Sequence, residues 1–334
     1  MLTTTTQIPP AVPNFFSRML LERARPNLHH QKVAQTRRFA RRQGNTMVFR
    51  RFEDLALATA ALGEGVTPTG QELSKTDITA TLQQHGNYVP VSDVVDYTVE
   101  SPVLREAVTL LSENAADTLD VLHRDVYAAG TNVLYGGTAT SRAELLGTSH
   151  KVTTALLDRI VRFLMAQNAK PFTTKVRGGD REATSGLRPS FWAIIDEDVL
   201  FTLENLQGYK SIEEYGSGTA LMMGEVGTYK NLRFLCSTLA KSFAGGGGAA
   251  NGDVKKTGAD ADVHTILCFG RNAVGTVPLE GVNTRAIIKP LGSAGTADPL
   301  NQRATVGWKY MGARVRLNEN FMVRAEVTVG DVAP

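Results

Sequence analysis

Chemistry that needs converging side chains has few places to start in this chain. His29 and His30 form its one histidine pair, set in a stretch otherwise dominated by arginine. A metal would need three or four converging ligands, and no Cys, Asp or Glu stands at a suitable spacing from them, so the pair reads as surface or interface. Asp196-Glu197-Asp198 follows the apolar run FWAII, a position where carboxylates can hold a metal. It is also where an N-cap and first-turn acids belong, and the cap is the favoured reading. GSGTALMMG (216–224) and GRNAVG (270–275) are the nearest approaches to a phosphate-cradling loop. Neither carries the Lys-Ser/Thr of a P-loop or leads from strand into helix as the dinucleotide fingerprint does, so both read as turns. No Ser lies in a GxSxG elbow, and His85, His123, His150 and His264 suggest no triad order. Cys236 and Cys268 fall inside the apolar runs FLC and ILCF and outside any CxxC, and read as reduced core residues. No catalytic, cofactor-binding or metal-binding set emerges, and no cofactor is expected.

Charge carries more information. Residues 1–51 contain ten basic residues (Arg18, Arg23, Arg25, Lys32, Arg37, Arg38, Arg41, Arg42, Arg50 and Arg51) against one acid, Glu22. The remaining residues then hold 26 basic and 32 acidic side chains, out of 36 and 33 in the whole chain. A cationic leader on a mildly acidic body implies a polyanion, or a neighbour's acidic surface, as the partner of that leader. Without base-reading signatures, binding to nucleic acid would be blind to sequence. Hydrophobic content of 42% and charged content of 21% are ordinary for a folded protein. MLTTTTQIPP lacks the features of a signal peptide, and no apolar run approaches the ~20 residues of a membrane helix. A soluble chain with no membrane partner is expected.

The elements that must position these residues are legible from periodicity. Residues 1–14 read as a loose tail, and 15–43 as a helical pattern interrupted at Pro26. Residues 46–90 read as two extended ribs, TMVFRRF and KTDITATLQQ, joined by the turn material GEGVTPTG. A lone ribbon of that length has too little core to stabilise itself and is expected to lie on another subunit. Pro102 to Ala129 predicts a long helix, with Ser101 as N-cap, Pro102 at N1 and Gly130 at C′. Leu104, Val108, Leu111, Ala115, Leu119, Leu122, Val126 and Ala129 form its apolar stripe. Asp120 and Arg124 form an i,i+4 pair, expected away from that stripe. A second amphipathic helix is expected over 152–168. A mixed α/β stretch follows from about 186 to 285, with a strand at FWAII, a short helix from Asp196 to Asn205, and strands at 231–236 and 264–269. Between those two strands AGGGGAANGD (244–253) predicts a mobile surface loop. The closing strand puts Phe321, Val323, Ala325, Val327 and Val329 on one face and Met322, Arg324, Glu326 and Thr328 on the other.

Three segments together resemble the major capsid proteins of tailed bacteriophages, particularly the N-four type family. They are NTMVFRRFEDLALATAALGEGVTPTGQELSKTDITATLQQHGNYVPVSDVV (45–95), the Pro102 helix ending in YAAGTNVLYGG, and VPLEGVNTRAIIKPLGSAGTADPLNQRATVGWKYMGARVRLNENFMVRAEV (277–327). The resemblance implies an α+β chain with the Hong Kong ninety-seven type phage capsid fold. Its parts would be a basic N-terminal arm (1–45), an extended β-hairpin loop (46–92), a peripheral domain with a long spine helix at 102–129 (93–185 and 286–334), and an axial domain (186–285). It further implies a non-enzymatic subunit that self-assembles into hexamers and pentamers of an icosahedral shell around packaged double-stranded DNA. Such a subunit would be made and assembled in the bacterial host cytoplasm and end in the virion, with portal, scaffold or decoration proteins as further partners. On this reading Arg18, Arg23, Arg25, Lys32, Arg37, Arg38, Arg41 and Arg42 face the inner surface or a neighbour. Phe49, Arg50, Arg51, Phe52, Glu64, Thr67, Pro68, Lys75, Ile78 and Leu82 make the inter-subunit loop, while Leu104, Val108, Leu111, Leu119, Leu122 and Val126 pack the spine. The rival readings are an encapsulin-like nanocompartment shell, a basic-arm nucleic-acid-binding protein that forms no shell, and, last, an enzyme with a spatially assembled site.

Overall fold

The structure is a computed structural model of the chain. It describes residues 29–59, 61, 65, 67, 70–93, 103–172, 189–214, 222–280, 284–293 and 298–331. The expected tail, the first part of the arm with Arg18, Arg23 and Arg25, the helix cap Ser101–Pro102, and Glu64 and Pro68 lie outside these residues.

In chain order come β1 (Gln35–Thr36), β2 (Thr46–Phe52), β3 (Lys75–Thr81), β4 (Gln83–Ser92), helix α1 (Val103–Ala128) and β5 (Val133–Tyr135). Helix α2 (Thr154–Ala166), β6 (Phe191–Ile195), helix α3 (Glu197–Glu204), β7 (Tyr209–Ser211), β8 (Glu225–Tyr229) and β9 (Leu232–Cys236) follow. The chain continues through β10 (Ser242–Phe243), β11 (Lys256–Thr257), β12 (Asp260–Ala261), β13 (Val263–Phe269), β14 (Val274–Pro278), β15 (Thr284–Lys289), β16 (Arg303–Arg316) and β17 (Met322–Val327).

Two sheets organise the chain. An eight-stranded sheet runs β5-β17-β13-β6-β9-β8-β7, with β10 added to β13. Its central strands are apolar on both faces, and period-2 alternation divides them between two cores. Phe191, Ala193 and Ile195 of β6 join Leu157, Ile160 and Leu164 of α2 and Val199 and Leu203 of α3 on one side. Trp192 and Ile194 face the other way, onto Tyr127 and Ala128 at the end of α1. Burying one such side chain fully contributes about 1.5–3 kcal/mol.

The five-stranded sheet is built on the 14-residue β16. One edge of it pairs with β4, from Arg303↔Ser92 to Gly312↔Gln83. The other edge pairs first with β15 and then with β14. The 26-residue α1, about 39 Å long, lays Val108, Leu111, Ala115 and Leu119 across Val306, Trp308 and Tyr310. Segment 286–334 thus serves both sheets, through β15 and β16 in one and β17 in the other. Among the described residues no helix is long and apolar enough to cross a membrane.

Three expectations need correction. First, residues 29–43 contain no α-helix. A 3-10 turn at His30–Val33 leads into β1, which pairs in parallel with β14 at Gln35↔Gly275 and Thr36↔Thr276. Val33 and Phe39 are buried there, so tertiary pairing decides the conformation of this stretch. Second, the glycine run is packed rather than loose. Gly247 N donates to the Ala261 carbonyl at 2.9 Å, and Ala261 N donates to Gly248 O at 2.9 Å. A Cβ at Gly247 or Gly248 would run into the carbonyl oxygens of Leu145 and Ala143. Third, Asp120 is fully buried, and Arg124 pairs with Asp125 instead, at 2.9 Å. Both faces of β17 are covered. Glu326 and Thr328 are fully buried, with Arg142 holding Glu326 through two 2.7 Å contacts and Arg324 adding one at 2.8 Å.

Candidate assembly surfaces

The ribbon foreseen at 46–92 has two different halves. β2 and β3 pair antiparallel from Thr46↔Thr81 to Phe52↔Lys75. β3 runs on through Leu82 into β4, which belongs to the body, so one continuous rib anchors the ribbon. At its root Ala80 and Leu82 pack with Phe39, Val277 and Ala313 of the same subunit, and Met47 and Phe49 flank them half-buried. The expectation that the ribbon has no packing on its own body is therefore corrected at the root.

Away from the root the apolar residues lie open. Val48, Phe52, Leu55, Leu57 and Leu73 are exposed, with Phe52 at 61% and Leu57 at 87%. Single exposed apolar residues need no explanation, but five along one projecting ribbon mark a surface built to be covered. The charged residues of the ribbon serve it internally. Arg50 meets its cross-strand neighbour Asp77 at 2.8 Å, Lys75 approaches the same carboxylate at 3.6 Å, and Arg51 pairs with Glu53 at 2.9 Å. Hydrogen bonding from Arg50 holds the Asp77 carboxyl below its usual range. Ile78 is half-buried on the inner face, and Thr67 is exposed. A cleft of about 510 Å³, lined by Arg51, Phe52, Glu53, Lys170, Arg271 and Asn318 among others, lies between the Phe52 end of the ribbon and the body.

The described part of the arm, residues 29–43, is clipped to the body. His30 is fully buried, and its backbone N–H donates to Asp120 Oδ1 at 2.9 Å while ring Nδ1 meets Oδ2 at 2.7 Å. Burial pushes Asp120 up, but the hydrogen bonds and charge of His30 outweigh it and hold the carboxyl below its ordinary value. Lys32 Nζ donates to the Met223 carbonyl at 2.7 Å, and Arg41 Nε to the Glu280 carbonyl at 2.9 Å. Arg37, Arg38 and Arg42 are exposed. One turn along the helix, His123 is buried with Nδ1 on the Leu119 carbonyl at 2.7 Å and Nε2 on Thr276 Oγ1 at 3.2 Å. Burial pushes its pKa down to about 4.

Sequence reasoning missed this joint. The available signal was a second stripe on α1 (Ser112, Ala116, Asp120, His123, Tyr127), polar or small but spaced at three or four residues, all of it buried. Of the packing residues expected on this helix, Val108, Leu111 and Leu119 are buried, whereas Leu122 and Val126 are half-buried. The side chain of Leu104 falls outside the description.

Asp196, Asp198 and His264 bring their ligand atoms within 4.8 Å of one another, the one such group among the described residues. Asp196 caps α3 by accepting from Val199 N at 2.9 Å. Its other oxygen is taken by His264 Nδ1, and Asp198 is held by Lys255 at 2.6 Å. The N-cap reading accounts for Asp196, while His264 Nε2 is buried without a partner.

Comparison with known proteins follows the same lines. The family model described as phage capsid protein matches residues 75–324. Among curated proteins none matches the chain. Several solved phage capsids share the fold at low sequence identity. Against the capsid of Ralstonia phage GP4 the TM-score is 0.64 at 14% identity, covering 90% of this chain and 88% of that one. Against the capsid asymmetric unit of cyanophage Pam1 it is 0.57 at 14% identity, with 87% and 86% covered. Against the capsid of cyanophage P-SCSP1u it is 0.54 at 15% identity, with 88% and 86% covered.

Proposed function

The chain belongs to the phage capsid protein family and is a major capsid subunit, and from that premise we propose that it closes by association alone into an icosahedral shell of hexamers and pentamers around double-stranded DNA. The observation that carries this reading is the ribbon, rooted in its own sheet yet apolar and uncovered along its outer reach. Obligate interfaces bury about 2,000–5,000 Å² each, and a projecting ribbon laid on a sister copy is a natural source of such area. In this reading α1 is the spine helix of a peripheral domain, and the sheet around β6, β9 and β13 forms the axial domain. Residues 46–92 are the extended loop, and the cationic leader points toward phosphate. Each phosphate it neutralises would steepen the salt dependence of duplex binding by about 0.9 in log–log slope.

Negative-stain microscopy of the purified chain tests the reading directly: closed particles support it, and small discrete oligomers at every concentration contradict it. Removing residues 1–28, which takes away Arg18, Arg23 and Arg25 but leaves the His30–Asp120 joint and β1 in place, separates a shell subunit from a DNA-binding module. The truncated subunit should misassemble or close at the wrong size. A module would instead keep its oligomeric state and lose only salt-sensitive DNA affinity.

A further inference from the structure

Beneath the C-terminal third of α1, hydrogen-bond donors collect without an acceptor. Arg314 of β16 is partly buried, and its Nε and Nη2 are shut off from solvent with no hydrogen-bond partner. Its guanidinium stands 5.1 Å from the Tyr310 ring. The Tyr127 hydroxyl is likewise buried without a partner, and that of Tyr310 is buried too. Tyr310 lies along its own strand, with its hydroxyl over Gly312, where a Cβ would collide with it. That places the hydroxyl beside the Thr276↔Arg314 cross-strand pair. The Thr276 hydroxyl, 3.2 Å from His123 Nε2, also helps hold the Tyr310 hydroxyl, so the unmet demand falls mainly on Arg314 and Tyr127. His85, paired across the strands from Tyr310, adds a third buried and unpartnered nitrogen, Nε2. The nearby carboxylate, Asp120, has both oxygens on His30.

A buried guanidinium without a countercharge is costly, and buried polar groups in folded proteins are otherwise paired. The groups here are cationic or neutral donors, and what is missing is an acceptor carrying negative charge. We infer that Arg314, Tyr127 and Tyr310 form a receiving site for an oxyanion, a phosphate or carboxylate, supplied from outside the subunit. Burial depresses the Arg314 pKa and raises those of both tyrosines, directions that a bound anion would oppose at the arginine. Arg314 keeps partial exposure, which gives the site its way in, and an incoming charge there would join helix and sheet. The carboxylate source rests on the shell reading; the phosphate source does not.

Two measurements on the full-length chain separate the sources. In the first, inorganic phosphate is titrated into unassembled protein, with sodium chloride at matched ionic strength as reference, and the unfolding temperature is followed. A saturable rise specific to phosphate, with half-saturation shifted tenfold or more in Arg314→Met, supports the site with a free oxyanion as occupant. In the second, assembled particles of wild type and Arg314→Met are dissociated in denaturant. A lower midpoint for the variant, with the unassembled variant as stable as wild type, supports the site with a sister subunit's carboxylate as occupant. Tyr310→Phe, which removes one donor and opens no cavity, should give a smaller change of the same sign in whichever measurement responds. If phosphate acts no differently from chloride and variant particles dissociate with wild type, the donors are satisfied by water alone and the inference is overturned, whether or not shells form.

Discussion

At the scale of single residues, the joint between arm and body rests on Asp120. Its two oxygens accept the backbone N–H and the ring of one buried histidine, so removing the carboxylate orphans both. Asp120→Ala should therefore cost about 3–5 kcal/mol, measured by urea unfolding of the unassembled chain. Proteolysis at residues 29–43 should accelerate in parallel. His123 sets a pH dependence. Its folded pKa of about 4 lies below the ordinary value of 6.5, so the unfolded chain binds the extra proton between those limits. The stabilisation is complete above pH 6.5 and drains away as pH falls toward 4, about 3 kcal/mol in all. Asp120, also depressed, adds its loss only at still lower pH. Unfolding free energy followed from pH 7 to 4 should decline in wild type and run flatter in His123→Gln. Equal slopes would show that His123 is not the titrating group.

At the scale of elements, the ribbon divides into a root that holds the subunit together and an outer reach that does not. Replacing Leu55 and Leu57 by Asp should leave the unfolding midpoint of the unassembled chain within about 0.5 kcal/mol, as for ordinary surface positions. The same change should abolish or sharply weaken assembly, read by light scattering. Leu82→Ala at the root should instead cost about 2–5 kcal/mol before any partner is involved. The glycine run behaves as a packed element, so Gly248→Val should destabilise the unassembled chain, seen as a lowered unfolding temperature; an unchanged one would restore the loose-loop view. Periodicity made much of this level legible. The helix expected over 102–129 spans Val103–Ala128, and FWAII is a strand buried on both faces. What stayed hidden depends on partners distant in the chain. Gln35 is extended because Gly275 lies beside it, 240 positions later. The glycines close up only because the backbone of Ala143 and Leu145 comes within reach. Asp120 reads as a solvated i,i+4 partner until the turn at His30 covers it. Local pattern reports the face an element can bury, not which second face a remote segment will cover.

At the scale of the whole molecule, two sheets share one long helix. α1 spans the five-stranded sheet with its middle and reaches the core of the eight-stranded sheet with its end. The arm clips onto it through His30 and Asp120, so movement of the arm is felt by the element that ties the subunit together. A shell built from such units would be sensitive to salt where cations meet phosphate and indifferent to it where ribbon meets sister copy. The most direct measurement is cryo-microscopy of the purified full-length chain under assembly conditions. The account predicts closed icosahedral particles in which Val48, Phe52, Leu55 and Leu57 of each ribbon are buried against an adjacent copy. Particles in which those residues remain in solvent, or a chain that stays monomeric at every concentration and salt condition, would contradict it.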